Sequence, residues 1–189
     1  AAEETGLVKG TPVVYGGGDN PMQNIGNGLV VPGLLSSNIG TAAQVATLSL
    51  HPDSDTEHRV NTFSYVQKDM WSLVGASLSG GGVLSWLQKD ILHCTNYADT
   101  DCRAEDTRPC PDGLLFLPYL GGERSPHHNP NARGVFFGLN RSHTDAHIIR
   151  SVMEGIVLSL RCSLEIMEAL NLNIDAVIAS GGGTRSCLW

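Results

Sequence analysis

Three times in this 189-residue chain an apolar run ends in a turn of the smallest side chains. Residues 11–15 (TPVVY) run into Gly16, Gly17 and Gly18. "SSNI" runs into Gly40 and Thr41, and "IDAVIAS" into Gly181, Gly182 and Gly183. Few architectures suit strands that end this way. Glycine permits the positive φ of a tight turn and lets backbone lie close to a neighbour or a ligand. Strands that end in such turns and lead into helices predict a mixed α/β fold.

The rest of the pattern agrees. Residues 11–15 read as a buried strand, and Asp19 to about Gly28 as a short helix with Pro21 in its first turn. "GLLSSNIGTAAQVATLSL" reads as two strands joined at Gly40, and "RVNTFSYVQKDMWSLVGASL" as another antiparallel pair. Gly80, Gly81 and Gly82 open a helix to about Leu92, with Val83, Leu84, Leu87 and Ile91 on one face. Residues 93–113 are polar and read as a loop. "GLLFLPYL" and "GVFFGL" read as strands flanking a loop that holds Glu123 and Arg124, which are expected to form an ion pair. The longest helix starts at Thr144 or Asp145. Ile148, Ile149, Val152, Ile156, Leu160, Leu164 and Met167 recur at helical spacing within it. "IDAVIAS" reads as a buried strand. The opening "AAEETGL" reads as the last turn of a helix, and "SGGGTRSCLW" as a strand-to-helix turn, so the chain reads as a piece of a longer protein.

Amide groups freed at glycine turns can hold phosphate oxygens. The Thr41 hydroxyl would add a donor without bulk. Packing alone also accounts for glycine at such turns. None of the three is a Walker A loop or a G-x-G-x-x-G fingerprint. Asp19 has two readings as well. As a helix cap it would contribute about 1 kcal/mol, although Asn20, with Pro21 behind it, could cap equally well. As a general base it would take the proton of a hydroxyl that attacks phosphorus. An ordinary carboxylate suffices there, because positioning dominates phosphoryl transfer.

Composition removes other classes. The formal net charge of -7 argues against nucleic acid or an anionic membrane as partner. No apolar run approaches the roughly 20 residues of a membrane span. Five cysteines without a C-x-x-C pair argue for reduced thiols rather than a disulfide or zinc framework, and for a cytoplasmic setting. No metal ligand is assigned; His127 and His128, side by side, would point apart in a strand.

The stretch "GVFFGLNRSHTDAHIIRSVMEG" resembles the C-terminal signature of the FGGY carbohydrate kinases. Gly134, Phe136, Gly138 and Leu139 are followed by His147, Ile148, Ser151, Val152, Met153 and Glu154. "GGGDNP", "NIGTA", "FLPYLGGERSPHHNPNARG" and "ASGGGTRSCLW" fall in that family's order, so the resemblance covers nearly the whole chain. It implies the ribonuclease-H-like, actin/hexokinase-type ATPase fold. Residues 1–30 would end the N-terminal sugar-kinase domain, and residues 31–189 would form the C-terminal nucleotide-binding domain, truncated at its end. It implies ATP and Mg²⁺ as cofactors and D-xylulose or a related ketose as acceptor. By the same resemblance Asp19 is the catalytic base and Asn20 a sugar contact. Gly40 and Thr41, Gly81 and Ser85, and Gly182, Gly183 and Ser186 would hold the nucleotide. Glu154 would be structural, and the three tryptophans packing residues. Two departures stand out. Ala42 replaces a serine common after the Gly-Thr pair. An Asp-x-Gly-Thr phosphate loop and the main magnesium-binding acids, which belong to the family's N-terminal domain, are not found. These residues alone are therefore expected not to phosphorylate a sugar. Other readings are an actin-like or heat-shock-like ATPase in which water replaces the sugar hydroxyl, and an inactive sugar sensor, which Asp19 argues against. A homodimer is the assembly left open.

Overall fold

Every residue of β2 (Ala43–Ser49) is buried, so this strand must be covered on both faces. The computed structural model, which describes residues 1–94 and 96–189, shows how. β2 lies at the centre of a five-stranded sheet of order β3-β4-β2-β1-β7. β1 (Leu34–Ile39) pairs antiparallel with β2 across the Gly40 turn, as the sequence predicts. β4 (Trp71–Ser77) flanks β2 on the other side, with β3 (Asn61–Ser64) outside it. β7 (Ala176–Ser180) joins parallel to β1. Alternation assigns the faces. Val45 and Leu73 point to Leu160, Ile166 and Met167 of helix α5 (Asp145–Ala169). Ala46, Leu48 and Val74 point the other way, to Leu29, Tyr65 and Ile25. Each fully buried aliphatic side chain here stabilises the fold by about 2 kcal/mol.

α5 has 25 residues and is about 37 Å long. It outreaches the sheet, so its first half serves a second core. There Ile149, Val152, Met153 and Ile156 pack on Val83 and Leu84 of α3 (Gly81–Trp86), on Leu87, and on Phe116 of β5 (Leu115–Leu117). β5 pairs antiparallel with β6 (Val135–Phe137). Thr144 is the N-cap of α5, and the His147 ring Nδ1 accepts the Thr144 N–H at 3.1 Å.

Several expectations need correction. Residues 11–15 form no strand. Val13 is 91% and Tyr15 106% exposed, and none of the described strands pairs with them. A β-prone run without a partner cannot satisfy its backbone groups as a ladder and stays in water. β7 is an edge strand with largely exposed side chains, not a buried one. The helix after Gly80 continues beyond Trp86 as a π-helical turn, Leu87–Ile91, in which the Leu92 N–H reaches the Leu87 carbonyl. The wider turn rotates Ile91 off the apolar face, to 52% exposure. Within residues 93–113 lies a helix, α4 (Tyr97–Glu105), capped by the Asn96 side chain. Glu123 makes no ion pair with Arg124. Its buried carboxylate accepts the Ser77 hydroxyl and the N–H groups of Leu78 and Arg124, each at 2.7 Å. The first four-residue helix is Ala2–Thr5.

One loop carries a testable ion pair. Asp55 is buried and takes Arg59 Nη2 at 2.7 Å and Nε at 2.9 Å. These guanidinium bonds hold the Asp55 carboxyl down at about 2, against the opposing pull of burial. A lowered folded-state pKa means the stabilisation is present above the ordinary carboxylate range and is lost as pH falls from about 4 through about 2. Urea midpoints measured across that window should fall less steeply in Asp55→Asn than in the parent protein.

Candidate functional site

The second and third glycine turns and the start of α3 meet at one end of the sheet. The Gly81 N–H donates to the Gly40 carbonyl at 2.7 Å, and the Gly82 N–H to that of Thr41 at 2.9 Å. This contact demands glycine. A Cβ on Gly80 would lie 2.4 Å from the Ala42 carbonyl carbon, and one on Gly81 2.8 Å from the Gly40 oxygen. β7 delivers the third turn beside β1. Gly181 has φ of 86°, and a Cβ there would lie 2.5 Å from the Ile39 oxygen. The segment Gly182–Arg185 then makes a single 3-10 turn.

A cavity of about 870 Å³ opens between these pieces. Gly40, Thr41, Gly81, Ser85, Gly182, Gly183 and Ser186 all line it, although up to 146 residues separate them in the chain. Among the described residues, the N–H groups of Thr41, Gly182 and Gly183 donate to no other protein atom. No atom lies within 4 Å of where a Gly182 Cβ would be, so that backbone is open to a ligand. Lys89 and Arg185 also line the cavity, against the single carboxylate of Asp101. Free amides and two cations make the wall suited to a polyanion.

Asp19 and Asn20 lie elsewhere. They open helix α2 (Asp19–Gly26), are exposed, and do not line the cavity. The cap position is held by Gly18, so the capping reading of Asp19 is not the one realised. Asp19 Oδ1 accepts the neighbouring Asn20 N–H at 2.8 Å, and no cation pairs with Asp19 among the described residues. The far end of α2 is tied to the site. The Ser180 hydroxyl accepts Asn27 Nδ2 and Asn38 Nδ2, each at 2.9 Å. Asp19 is thus about 12 Å along a helical arm from Asn27, whose side chain bonds the residue before Gly181.

Sequence reasoning missed the wall made by Tyr97, Ala98 and Asp101, because it read α4 as a loop. The signal was present: Asn96 precedes "YADTDCRAE", an N-cap with an acid in the first turn. Among the described residues no three His, Cys, Asp or Glu side chains converge. His127 bonds Tyr119 instead, with Nε2 3.0 Å from the phenol oxygen, and burial pushes that phenol up to about 12. All five cysteines are free thiols. Glu154 is structural, bonded to Arg150 at 2.7 Å and to the Cys110 N–H at 2.9 Å. No helix among the described residues is long and apolar enough to cross a membrane.

The model of the C-terminal domain of the FGGY family of carbohydrate kinases matches residues 35–189. This chain belongs to the FGGY carbohydrate kinases. Similar relatives are the xylulose kinase of Bacillus subtilis, 31% identical over 100% of this chain and 38% of its own length, and the gluconokinase of the same bacterium, 33% identical over 100% and 39%. The solved xylulose kinase of Rhodospirillum rubrum superposes with a TM-score of 0.90 at 30% identity, covering 100% of this chain and 38% of its own. The fold is the actin/hexokinase-like α/β fold of these FGGY kinases. The chain spans little more than a third of the length of the curated relatives it matches.

Proposed function

We propose that this FGGY chain carries the nucleotide seat and the catalytic base of an ATP-dependent sugar kinase working in the cytoplasm. ATP would rest on the Gly40-Thr41 and Gly182-Gly183 turns, with Gly81, Ser85 and Ser186 along its length. Asp19 would accept the proton of the attacking sugar hydroxyl, and Asn20 would contact the sugar. Residues 1–30 would belong to the sugar-binding domain and residues 31–189 to the nucleotide-binding domain. The convergence of seven residues from three chain-distant segments on one cavity with unpaired amides carries this reading. Its size falls within the roughly 300–1,000 Å³ of small-molecule sites. Mg²⁺ would be needed to neutralise the triphosphate, and no residue of this chain is assigned to it.

The acceptor proposed is the 5-hydroxyl of D-xylulose, supported by relatives named xylulose kinase. A gluconokinase of equal similarity favours gluconate as the second reading. The full-length protein should release ADP from MgATP only when sugar is present, and faster with D-xylulose than with gluconate. The reverse order would transfer the assignment to gluconate. Release that ignores sugar altogether would favour an actin-like or heat-shock-like ATPase and overturn the kinase.

A further inference from the structure

α4 walls the cavity, yet it lies outside every motif that carries the family resemblance. Its contribution is one helical face, Tyr97, Ala98 and Asp101. That face is firmly held. Asn96 Oδ1 accepts the Ala98 N–H at 3.0 Å, and the buried Gln88 Nε2 donates to the buried Thr100 hydroxyl at 2.6 Å. Ala104 is fully buried in the core beneath. The Tyr97 hydroxyl hydrogen-bonds that of Ser85. The rest of Tyr97 is not buried: it is 50% exposed and borders the cavity. A ring fixed at its tip and open along its body is an unusual use of an aromatic residue, which normally hides its apolar surface.

The cavity has a direction. α3 starts at Gly81, on the Gly40 turn, and Ser85 follows about 6 Å along the helix axis. The unpaired Thr41 amide therefore lies at one end, with Gly181 and Gly183 packed on the nearby Ile39, and the Tyr97 ring, docked on Ser85, lies further along. A nucleotide has the same polarity, with a polyanion at one end and a flat π-surface at the other.

Resting on the nucleotide reading of the cavity, we propose that Tyr97 is its base-contacting residue: the ring stacks on the nucleobase while the hydroxyl bond to Ser85 sets the ring's orientation. Every base has a π-face, so the contact raises affinity for nucleotides over bare polyphosphate and discriminates little among bases.

Calorimetric titrations of the intact protein with ADP and, separately, with inorganic tripolyphosphate test this. Tyr97→Ala should weaken ADP roughly tenfold to a hundredfold and leave tripolyphosphate within about twofold. Tyr97→Phe, which keeps the ring, should hold ADP within about threefold of the parent affinity, and Tyr97→Leu should behave like Tyr97→Ala. Equal losses for both ligands would mean that Tyr97 only maintains the cavity's shape, and would overturn the proposal. Unchanged ADP affinity in Tyr97→Ala or Tyr97→Leu would overturn it too. A parent protein that binds tripolyphosphate but gains nothing from the nucleoside would remove the base contact and leave the phosphate seat standing. Binding of neither ligand would remove both.

Discussion

Asp19→Asn in the full-length protein should lower kcat for sugar phosphorylation about a hundredfold to ten-thousandfold, the usual contribution of a positioned general base. The substitution keeps the size of the side chain and removes only its capacity to take a proton. The charge has only a small structural role, complementing the N-terminus of α2. The carboxylate is exposed, unpaired with any cation among the described residues, and its one bond, to the Asn20 N–H, is open equally to an amide oxygen. Unfolding temperature and ADP affinity should therefore stay unchanged, since exposed substitutions of this kind move stability by no more than about 0.5 kcal/mol. Sugar KM should change far less than kcat. Ketose-dependent ADP release, followed with D-xylulose and MgATP, checks the rate; thermal unfolding and ADP titration check the rest. A variant that keeps most of its rate would remove Asp19 from the chemistry.

Gly155→Ala should destabilise the fold by about 3 kcal/mol, at the upper end of overpacking costs. Gly155 is buried midway along α5, where the helix crosses β5. A Cβ there would fall 2.2 Å from the Phe116 carbonyl oxygen and 3.1 Å from its carbonyl carbon. Backbone cannot swing aside as a side-chain tip can, so helix and strand must part and open the core around Phe116. The helix propensity gained from alanine, about 1 kcal/mol, is too small to offset this. Gly26 provides the contrast. It ends α2, and a Cβ there meets nothing within 4 Å. Gly26→Ala should be neutral or stabilising by up to about 1 kcal/mol. Urea unfolding of both variants decides the matter. Similar midpoints would mean that α5 and β5 are not locked together as the contact distances imply.

Local patterns revealed the elements that carry their own periodicity. The apolar spacing of α5 and the two pairs around Gly40 and Met70 were legible because helical spacing, and apolar runs broken by a turn, are written in the sequence itself. Residues 11–15 look equally strand-like, but pairing depends on a neighbour rather than on the run itself. Ile91 was misplaced because helical spacing assumes 3.6 residues per turn, and one π-helical turn breaks that phase. α4 was hidden by polar composition: only Thr100 and Ala104 of its nine residues are buried, leaving too narrow an apolar stripe to detect. At the site, small residues announced the turns, because close backbone approach can be read from glycine alone. Tyr97, Lys89, Asp101 and Arg185 gave no such notice, since side chains of these types stand on most protein surfaces.

The Ser180 hydroxyl, shared by Asn27 and Asn38, has a mechanical consequence. One oxygen pins the lever that bears Asp19 to the strand that feeds the third glycine bend. Slack there would spread in two directions, tilting the lever and loosening the bend together. On the proposed reading of Asp19, this side-chain rivet adds to the short backbone link into β1 and to the packing of Ile25 in keeping carboxylate and nucleotide seat in step.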